Sequence, residues 1–344
     1  MRRTLTCAPP MALKLFNTLT RSSREFALLL MIVSAPVLAA DAPTQNEGEP
    51  PAWAYPVNPL DFKPATDDGK LKHVPNSTAT YSLGQLRDLF MAPDWHSEDH
   101  APMPDVVMHG RKPSVYACGF CHRADGPGGP ENSSLAGLPA AYIIQQMADF
   151  KSGVRKTSMP QRLPPQLMTS LAKAVTDAEV AAAAAYFSAL KPKQLIRVIE
   201  TNTVPKSYVA GWFLAVVNAG DTEPIGQCII EVPVDLEQFE HRDTHSRFIA
   251  YVPVGSVQAG QTLAITGRGD KTIQCRTCHG PELKGTETIP GIAGRSPSYI
   301  FRQLYDFRQG TRTGINSALM KHTVAKLTDG DMLSLAAYTA SLTP

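Results

Sequence analysis

Two short stretches decide the architecture of this chain: Cys118-Gly119-Phe120-Cys121-His122 and Cys275-Arg276-Thr277-Cys278-His279. They lie 157 positions apart, and the residues that follow them match at the same offset. After Gly153 the first copy carries five extra residues, and the match resumes at an offset of 152. The matching pairs are Leu135-Ala136-Gly137 with Ile292-Ala293-Gly294, Tyr142-Ile143 with Tyr299-Ile300, Asp149-Phe150 with Asp306-Phe307, Met168 with Met320, and Tyr186 with Tyr338. The chain therefore contains a duplicated unit.

Both stretches have the pattern Cys-x-x-Cys-His, which is the attachment pattern for c-type haem. Two thiols three positions apart on a helical turn reach the two vinyl groups, and the adjacent histidine reaches the iron. A zinc ribbon places its cysteine pairs about 15 to 20 residues apart, far closer than here, and a redox dithiol leaves the repeated histidine unexplained. The sequence predicts two covalently bound haem c groups, held by Cys118, Cys121 and His122 and by Cys275, Cys278 and His279.

A low-spin electron carrier needs a second axial ligand on each iron, usually a methionine sulfur. Met320, expected in a polar loop before the last helix, is the predicted ligand of the second haem, with His322 as its competitor. The repeat alignment selects Met168 for the first haem, while Met159, within the extra residues, is the alternative. The predicted iron ligands are His122, Met168, His279 and Met320.

A ligand histidine usually donates its other ring nitrogen to a carbonyl, which fixes the orientation of the ring. Pro290 is a candidate carbonyl in the second copy, although it equally fits the role of a simple turn residue. Ser133 is the equivalent position in the first copy. Because the carbonyl would come from a proline in one copy and a serine in the other, the two haems are expected to differ in their properties.

Residues 1–40 have the pattern of an export signal, because several basic residues precede an apolar run from Phe26 to Ala39. Cleavage is expected near Ala39 or Ala40, and the run is shorter than the roughly 20 residues that a membrane-spanning helix needs. We therefore expect a periplasmic protein with no stable membrane span after cleavage; an uncleaved anchor is the alternative. The formal charge is +2, and the leader holds five Lys and Arg against one acid, which leaves −2. A net charge of −2 does not indicate a nucleic-acid partner, so we expect none.

The rest of the chain divides into four parts. Residues 41–103 form a Pro-rich arm that we expect to be irregular, and residues 104–192 the first repeated unit. Residues 193–258 are a β-rich linker or insert, with predicted strands over Ile196 to Ile199, Cys228 to Val232 and Phe248 to Val254. Residues 259–344 form the second unit. In each unit a middle helix and a closing helix carry an apolar stripe, and the fold is predicted to be mainly α.

Two further features lie in the insert. Cys228 sits in an apolar run and is expected to be a buried free thiol; a cross-link to a partner is the alternative. His241 and His245 flank Asp243 in a charged stretch. Two histidines and one aspartate lack the closed ligand set of a structural metal site, so a solvated loop is the expected structure there.

Both copies resemble the class I, mitochondrial-type cytochrome c domain, and the pair resembles bacterial diheme cytochromes c. The resemblance rests on Cys-x-x-Cys-His, the Ala-Gly-x-x-x-x-Tyr-Ile segment, the Gly-x-Arg loops at Gly153 and Gly310, the methionine and the closing helix. It implies two class I helical domains with His and Met ligands. The arm and the insert depart from the simple two-domain pattern.

The expected function is single-electron transfer between redox partners such as a periplasmic dehydrogenase, oxidase or reductase. The alternative is a haem enzyme or enzyme subunit: a diheme peroxidase, or the electron-accepting subunit of an alcohol or sulfur-compound dehydrogenase. The carrier is favoured over an enzyme because each copy offers a methionine where a sixth ligand belongs. An iron with both axial positions filled offers a substrate no bonding site.

Overall fold

The computed structural model of the chain describes residues 49–218 and 220–344, together with the backbone of Thr4–Leu5. The helices in this part are α1 Leu83–Leu86, α2 Asp105–Met108, α3 Cys118–His122, α4 Ala140–Ser152, α5 Leu163–Ala174, α6 Asp177–Ala189, α7 Leu236–Glu240, α8 Ser256–Thr266, α9 Arg276–His279, α10 Pro297–Arg308, α11 Ser317–Val324 and α12 Asp329–Ser341. The strands are β1 Thr4–Leu5, β2 Ile196–Glu200, β3 Thr203–Pro205, β4 Ser207–Ala210, β5 Phe213–Val216, β6 Thr222–Pro224, β7 Ile230–Pro233 and β8 Phe248–Val252. Within the described residues, no helix combines the length and the apolar character needed to cross a membrane.

The duplication seen in the sequence is also a duplication of helices. Helices α2 to α6 build the first unit, and α8 to α12 build the second in the same order. The middle helices α4 and α10 begin 157 positions apart, and the closing helices α6 and α12 begin and end 152 positions apart. The prediction that helices form both units is confirmed.

The closing helices begin where the sequence predicts, because a threonine caps each of them. The Thr176 side chain accepts a hydrogen bond from the backbone N–H of Glu179, and the Thr328 side chain accepts one from that of Asp331. In both cases the acidic side chain bonds back to the threonine N–H and completes a capping box. Each closing helix then packs its apolar face against the middle helix of its own unit.

The second unit begins slightly earlier than the predicted boundary at residue 259. Helix α8 starts at Ser256, and it crosses α12 closely at Gly260. A Cβ atom at Gly260 would lie 1.9 Å from the carbonyl oxygen of Ser334, so only glycine allows the two backbones to approach in this way. The insert therefore ends before Ser256.

The insert contains the three predicted strands and four more that were not predicted. Strands β2, β7 and β8 form one sheet in the order β2-β8-β7, with β2 parallel to β8 and β7 antiparallel to it. Strand β3 pairs with β6, and β4 pairs with β5 and with β1. Strand β1 lies within the predicted signal peptide, whose other residues lie outside the described part of the chain.

The arm has little regular structure, as predicted, and it packs along the body of the protein. Trp53, Tyr55 and Trp95 are all buried. The Tyr55 hydroxyl donates to Asp306 Oδ1 of the second unit at 2.7 Å, and Trp95 Nε1 donates to the carbonyl of His241 in the insert at 2.7 Å. The arm therefore ties the second unit and the insert together.

Candidate functional site

The first Cys-x-x-Cys-His motif is one short helix, α3, which places its histidine in the interior. His122 is 8% exposed, and its Nδ1 lies 2.8 Å from the carbonyl oxygen of Ser133. A carbonyl only accepts hydrogen bonds, so Nδ1 carries the proton and the lone pair is at Nε2. Burial lowers the pKa of His122, which keeps the ring neutral near pH 7. A neutral imidazole with an oriented Nε2 lone pair is what iron ligation needs.

The second motif repeats this geometry. His279 is 9% exposed, and its Nδ1 lies 2.8 Å from the carbonyl oxygen of Pro290. Both carbonyls come 11 residues after their histidine. The predicted hydrogen bond to Pro290 is confirmed, so this proline is more than a turn residue. Burial lowers the pKa of His279 as well.

The four cysteines of the motifs form no disulfide, and each is half-buried. Burial raises the pKa of Cys118 to about 12 and that of Cys275 to about 11, so both are protonated at neutral pH. Reactive dithiols work as thiolates with depressed pKa values. The environment therefore argues against the dithiol alternative.

A cavity of about 480 Å³ opens beside the first motif. Apolar side chains of α4, α5 and α6 form much of its wall: Ile143, Met147, Phe150, Met168, Leu171, Val180, Ala183 and Phe187. The volume falls within the roughly 300–1,000 Å³ that ligand pockets enclose. The stripe of the middle helix, which would be core in any helical protein, here lines a pocket beside Cys118, Cys121 and His122.

The same cavity is strongly cationic at its polar side. Six cationic side chains line it, namely Arg87, Arg155, Lys156, Arg162, Arg242 and Arg302. They face three carboxylates, those of Glu131, Glu179 and Asp306. An apolar pocket with an excess of positive charge fits a planar ring that carries two carboxylates, as haem does with its propionates.

The structure distinguishes the two methionine candidates of the first unit. Met168 lies on α5 and lines the cavity together with His122. Met159 instead packs against the hydrophobic core shared by the second unit, the arm and the insert. The position of Met168 supports the choice made by the repeat alignment.

Met320 lies in a different setting from the one predicted. It is part of helix α11, not of a polar loop, and it packs partly buried against the core cluster that also contacts Cys275 and Leu304. The expectation of a loop is wrong because residues 317–324 form two helical turns. His322, the competitor, is exposed on the same helix, which favours Met320 as the inward-facing ligand.

The two units meet through a pseudo-symmetric set of polar side chains. Each copy supplies a tyrosine, a glutamine and an arginine at positions 157 apart: Tyr142, Gln146 and Arg155 from the first, and Tyr299, Gln303 and Arg312 from the second. Arg155 donates to the glutamine of its own unit at 2.8 Å and to the tyrosine of the other at 2.9 Å. Arg312 repeats these two bonds at 2.9 Å and 3.0 Å. The duplication is thus built into the contact between the units.

The histidines of the insert do not lie in a solvated loop. Asp243 and His241 are buried, and the partner of Asp243 comes from the arm: His96 Nε2 lies 3.0 Å from Asp243 Oδ1. The ring of His245 stacks on that of His96 with centroids 3.8 Å apart. Asp243 also accepts hydrogen bonds from Gln238 and from the backbone of His245. This cluster joins the arm to the insert, a contact across 147 positions that no local pattern reveals.

Cys228 is buried at 3% exposed, as predicted. It is disulfide-bonded, so the expectation of a free thiol is wrong.

The chain is similar to known proteins of two sizes: some align with about two thirds of it, and a shorter one aligns with about a fifth. No family model matches the chain. The thiosulfate dehydrogenase electron acceptor of Thiomonas intermedia is 28% identical over 235 residues, which cover 67% of this chain and 80% of that protein. Cytochrome c4 of Azotobacter vinelandii is 26% identical over 232 residues, covering 65% of this chain and 84% of that protein. Cytochrome c-554(548) of Halomonas halodenitrificans is 37% identical over 73 residues, covering 21% of this chain and 88% of that protein.

Proposed function

The chain belongs to the diheme c-type cytochromes, electron-transfer proteins with two covalently bound haem c groups, and from that premise we propose that it carries single electrons between redox partners in the bacterial periplasm. The observation that carries the proposal is the repeated histidine geometry, with two buried imidazoles whose Nδ1 atoms lie 2.8 Å from a carbonyl. Bound haem c supplies a one-electron ferric–ferrous couple. The residues of the chain would bind the two haems and form their surroundings.

The residues proposed to hold the haems are those of the two motifs. Cys118 and Cys121 form the covalent links on the first haem, and Cys275 and Cys278 form those on the second. His122 and His279 would bind the irons through Nε2, since Nδ1 of each ring donates its proton in a hydrogen bond to the backbone carbonyl of Ser133 or Pro290. Two separate pairs of half-buried thiols, each beside an oriented imidazole, fit this group better than a zinc ion, which would need all four donors in one place.

Met168 and Met320 are the proposed sixth ligands. Met168 lines the first cavity with His122, and Met320 packs against the core around Cys275. Thioether ligation raises the reduction potential, which suits a carrier that accepts electrons from a dehydrogenase. With these histidines and methionines bound to the irons, the protein would leave a substrate no bonding site there, and electrons would enter and leave through the exposed part of each haem.

The proposed electron donor is a dehydrogenase of small inorganic sulfur compounds. One relative is named as the electron acceptor of a thiosulfate dehydrogenase, and 67% of this chain aligns with it. The leader predicted at residues 1–40 would bring the chain to such a partner in the periplasm. A role as a tightly docked electron-accepting subunit is the second candidate, because the arm and the insert provide surface beyond the two repeated units.

Two measurements test the proposal. A haem stain after denaturing electrophoresis, together with the intact mass, should show two covalent haem groups, and a single one would contradict it. Steady-state assays with hydrogen peroxide and with thiosulfate should show no turnover by the protein alone, whereas reduction by a thiosulfate dehydrogenase should be fast. Turnover by the isolated chain at rates on the order of 1 per second or more would favour an enzyme instead.

A further inference from the structure

Arg162 is among the largest fully buried side chains of the described residues, at 1% exposed. Its guanidinium donates to two carbonyls, those of Ala54 and Trp212, both at 3.5 Å, which is the long limit of a hydrogen bond. Among the ion pairs of the described residues, none includes Arg162. A buried guanidinium with such weak partners calls for an anion.

A second buried arginine lies beside it. Arg302, at 5% exposed, comes from α10 of the second unit and donates to the same carbonyl of Ala54 at 2.8 Å. Two cations therefore share one carbonyl acceptor, and both line the cavity beside Cys118 and His122. Burial and the neighbouring Arg302 hold the pKa of Arg162 well below its usual range. An anion between the two guanidinium groups would relieve both the burial and the repulsion.

Neither cation has a counterpart in the other copy. An offset of 157 places Leu319 opposite Arg162, and an offset of 152 places Gly314 there. The position equivalent to Arg302 is Gln145, a neutral residue. Arg155 and Arg312, in contrast, are equivalent to each other. The pair Arg162–Arg302 is thus a one-sided addition to a symmetric protein.

We propose that Arg162 and Arg302 form a clamp for a propionate of the first haem, and that this clamp raises the reduction potential of the first haem above that of the second. The inference rests on the proposed function, since it requires haem at the first motif. A fixed positive charge beside the ring disfavours the more positive ferric state. An electron that enters the protein therefore resides on the first haem at equilibrium.

The clamp also explains how a buried propionate stays ionised. A carboxylate moved into low dielectric without a cation has a raised pKa and titrates near neutral pH. With two guanidinium groups in contact it remains charged across that range. The potential of the first haem is therefore expected to be insensitive to pH in the natural protein, and to become sensitive when the clamp is removed.

The test is a spectroelectrochemical titration of the two-haem protein between about pH 5 and pH 9, the interval in which a destabilised carboxylate titrates. Arg162→Gln should move one of the two redox waves to lower potential, with the equilibrium constant for reduction falling about tenfold, or about 59 mV for one electron. The same wave should become pH-dependent. Arg162→Lys keeps the charge and should keep the pH-independent profile. Lys151→Gln removes an exposed cation from the same unit and is the matched control.

Arg302→Gln tests the other half of the clamp from the second unit, and it should move the same wave in the same direction. If Arg162→Gln prevents haem attachment, this second variant decides. The clamp is overturned if neither Arg162→Gln nor Arg302→Gln moves a redox wave. It is also overturned if each of these variants shifts both waves equally, or shifts them no more than Lys151→Gln does. A preparation that holds two haems and exchanges electrons normally, yet shows unshifted waves, overturns the clamp alone. Loss of haem from the natural protein would instead contradict the proposed function.

Discussion

The two contacts that surround the first haem cavity are built on different principles. In the Tyr–Gln–Arg contact, Arg155 and Arg312 make the same bonds in both directions, as two copies of one ancestral surface do. The pair Arg162–Arg302 faces a single cavity and has no mirror image. Duplication therefore explains how the units fit together, whereas later divergence explains how they come to differ.

The divergence is concentrated in two places. The five extra residues after Gly153 bring Arg162 into the first cavity, and the arm brings Ala54, the carbonyl that both guanidinium groups use. The arm also covers the second unit, where Tyr55 bonds Asp306 and Trp53 packs on Phe301 at 4.5 Å. Under the proposed clamp, the arm and the extra residues of the first unit are thus the segments that make the two haem sites unequal.

The largest expected effect compares the sixth ligands. Met168→Ala and Met320→Ala should each remove about half of the near-infrared sulfur-to-iron band of the oxidised protein and lower the potential of one haem, because thioether ligation raises it. Met159→Ala should leave the band intact, since Met159 packs in the other core. Loss of the band in Met159→Ala, with Met168→Ala unaffected, would show that the extra residues supply the ligand.

A smaller effect tests the symmetry of the contact between the units. Arg155→Met and Arg312→Met should each lower the free energy of unfolding by about 1–3 kcal/mol, because each removes the arginine bond to one tyrosine hydroxyl and one of the two arginine bonds to each glutamine oxygen. Denaturant titration of the haem-loaded protein measures this, with Lys151→Met as the exposed control. The two values should agree within a factor of about two, and the double variant should lose more than their sum, since only it removes both arginine donors from each glutamine oxygen. A large inequality would mean that the contact is not equivalent in its two halves.

Much of the helical part could be predicted from the sequence. Helices α6 and α12 begin at their threonine caps, and the repeat places them at equal lengths. The carbonyl partner of His279 was also predictable, because the repeat and the turn at Pro290 place it within reach. These features depend on residues close in sequence, where periodicity and turn chemistry are informative.

What could not be predicted depends on which surfaces meet. The apolar stripe of α10 was recognised, yet nothing local shows that Arg302 on the same helix reaches into the cavity of the other unit. His96 and Asp243 meet across 147 positions for the same reason. Met320 was misplaced in a loop because polar residues around it masked a helix of two turns. Burial of a charged residue such as Arg162 is a tertiary property, and propensity says nothing about it.

The helix caps offer a finer comparison of the two units. Thr176→Ala and Thr328→Ala should each lower the free energy of unfolding by about 1 kcal/mol, the usual effect of removing a threonine cap. Thr176→Ser and Thr328→Ser retain the hydroxyl and serve as controls. In both boxes the acidic residue also forms an ion pair, Glu179 with Arg111 at 2.9 Å and Asp331 with Lys271 at 2.6 Å, which holds it in place. Equal losses measured by thermal unfolding would support equivalent closing helices, and a negligible loss at either threonine would show that the ion pair of that box replaces the cap.

The smallest effect concerns the attachment of the arm to the insert at low pH. Asp99 of the arm contacts Lys193, just after α6, at 2.5 Å, and His245 of the insert at 2.6 Å. The hydrogen bond from Lys193 lowers the pKa of Asp99 from 3.8 to about 2. A carboxyl whose folded pKa is depressed stabilises the fold above its unfolded pKa and loses that contribution as pH falls through the folded value. The contribution is therefore complete above about pH 5 and disappears between about pH 4 and pH 2. Because the pair is partly exposed, its contribution to the free energy of unfolding should stay below about 1 kcal/mol.

Asp99→Asn should show a lower free energy of unfolding than the natural protein at neutral pH, and the two curves of unfolding free energy against pH should converge in acid. Curves that stay parallel down to about pH 2 would show that the carboxylate charge does not hold the arm to the insert.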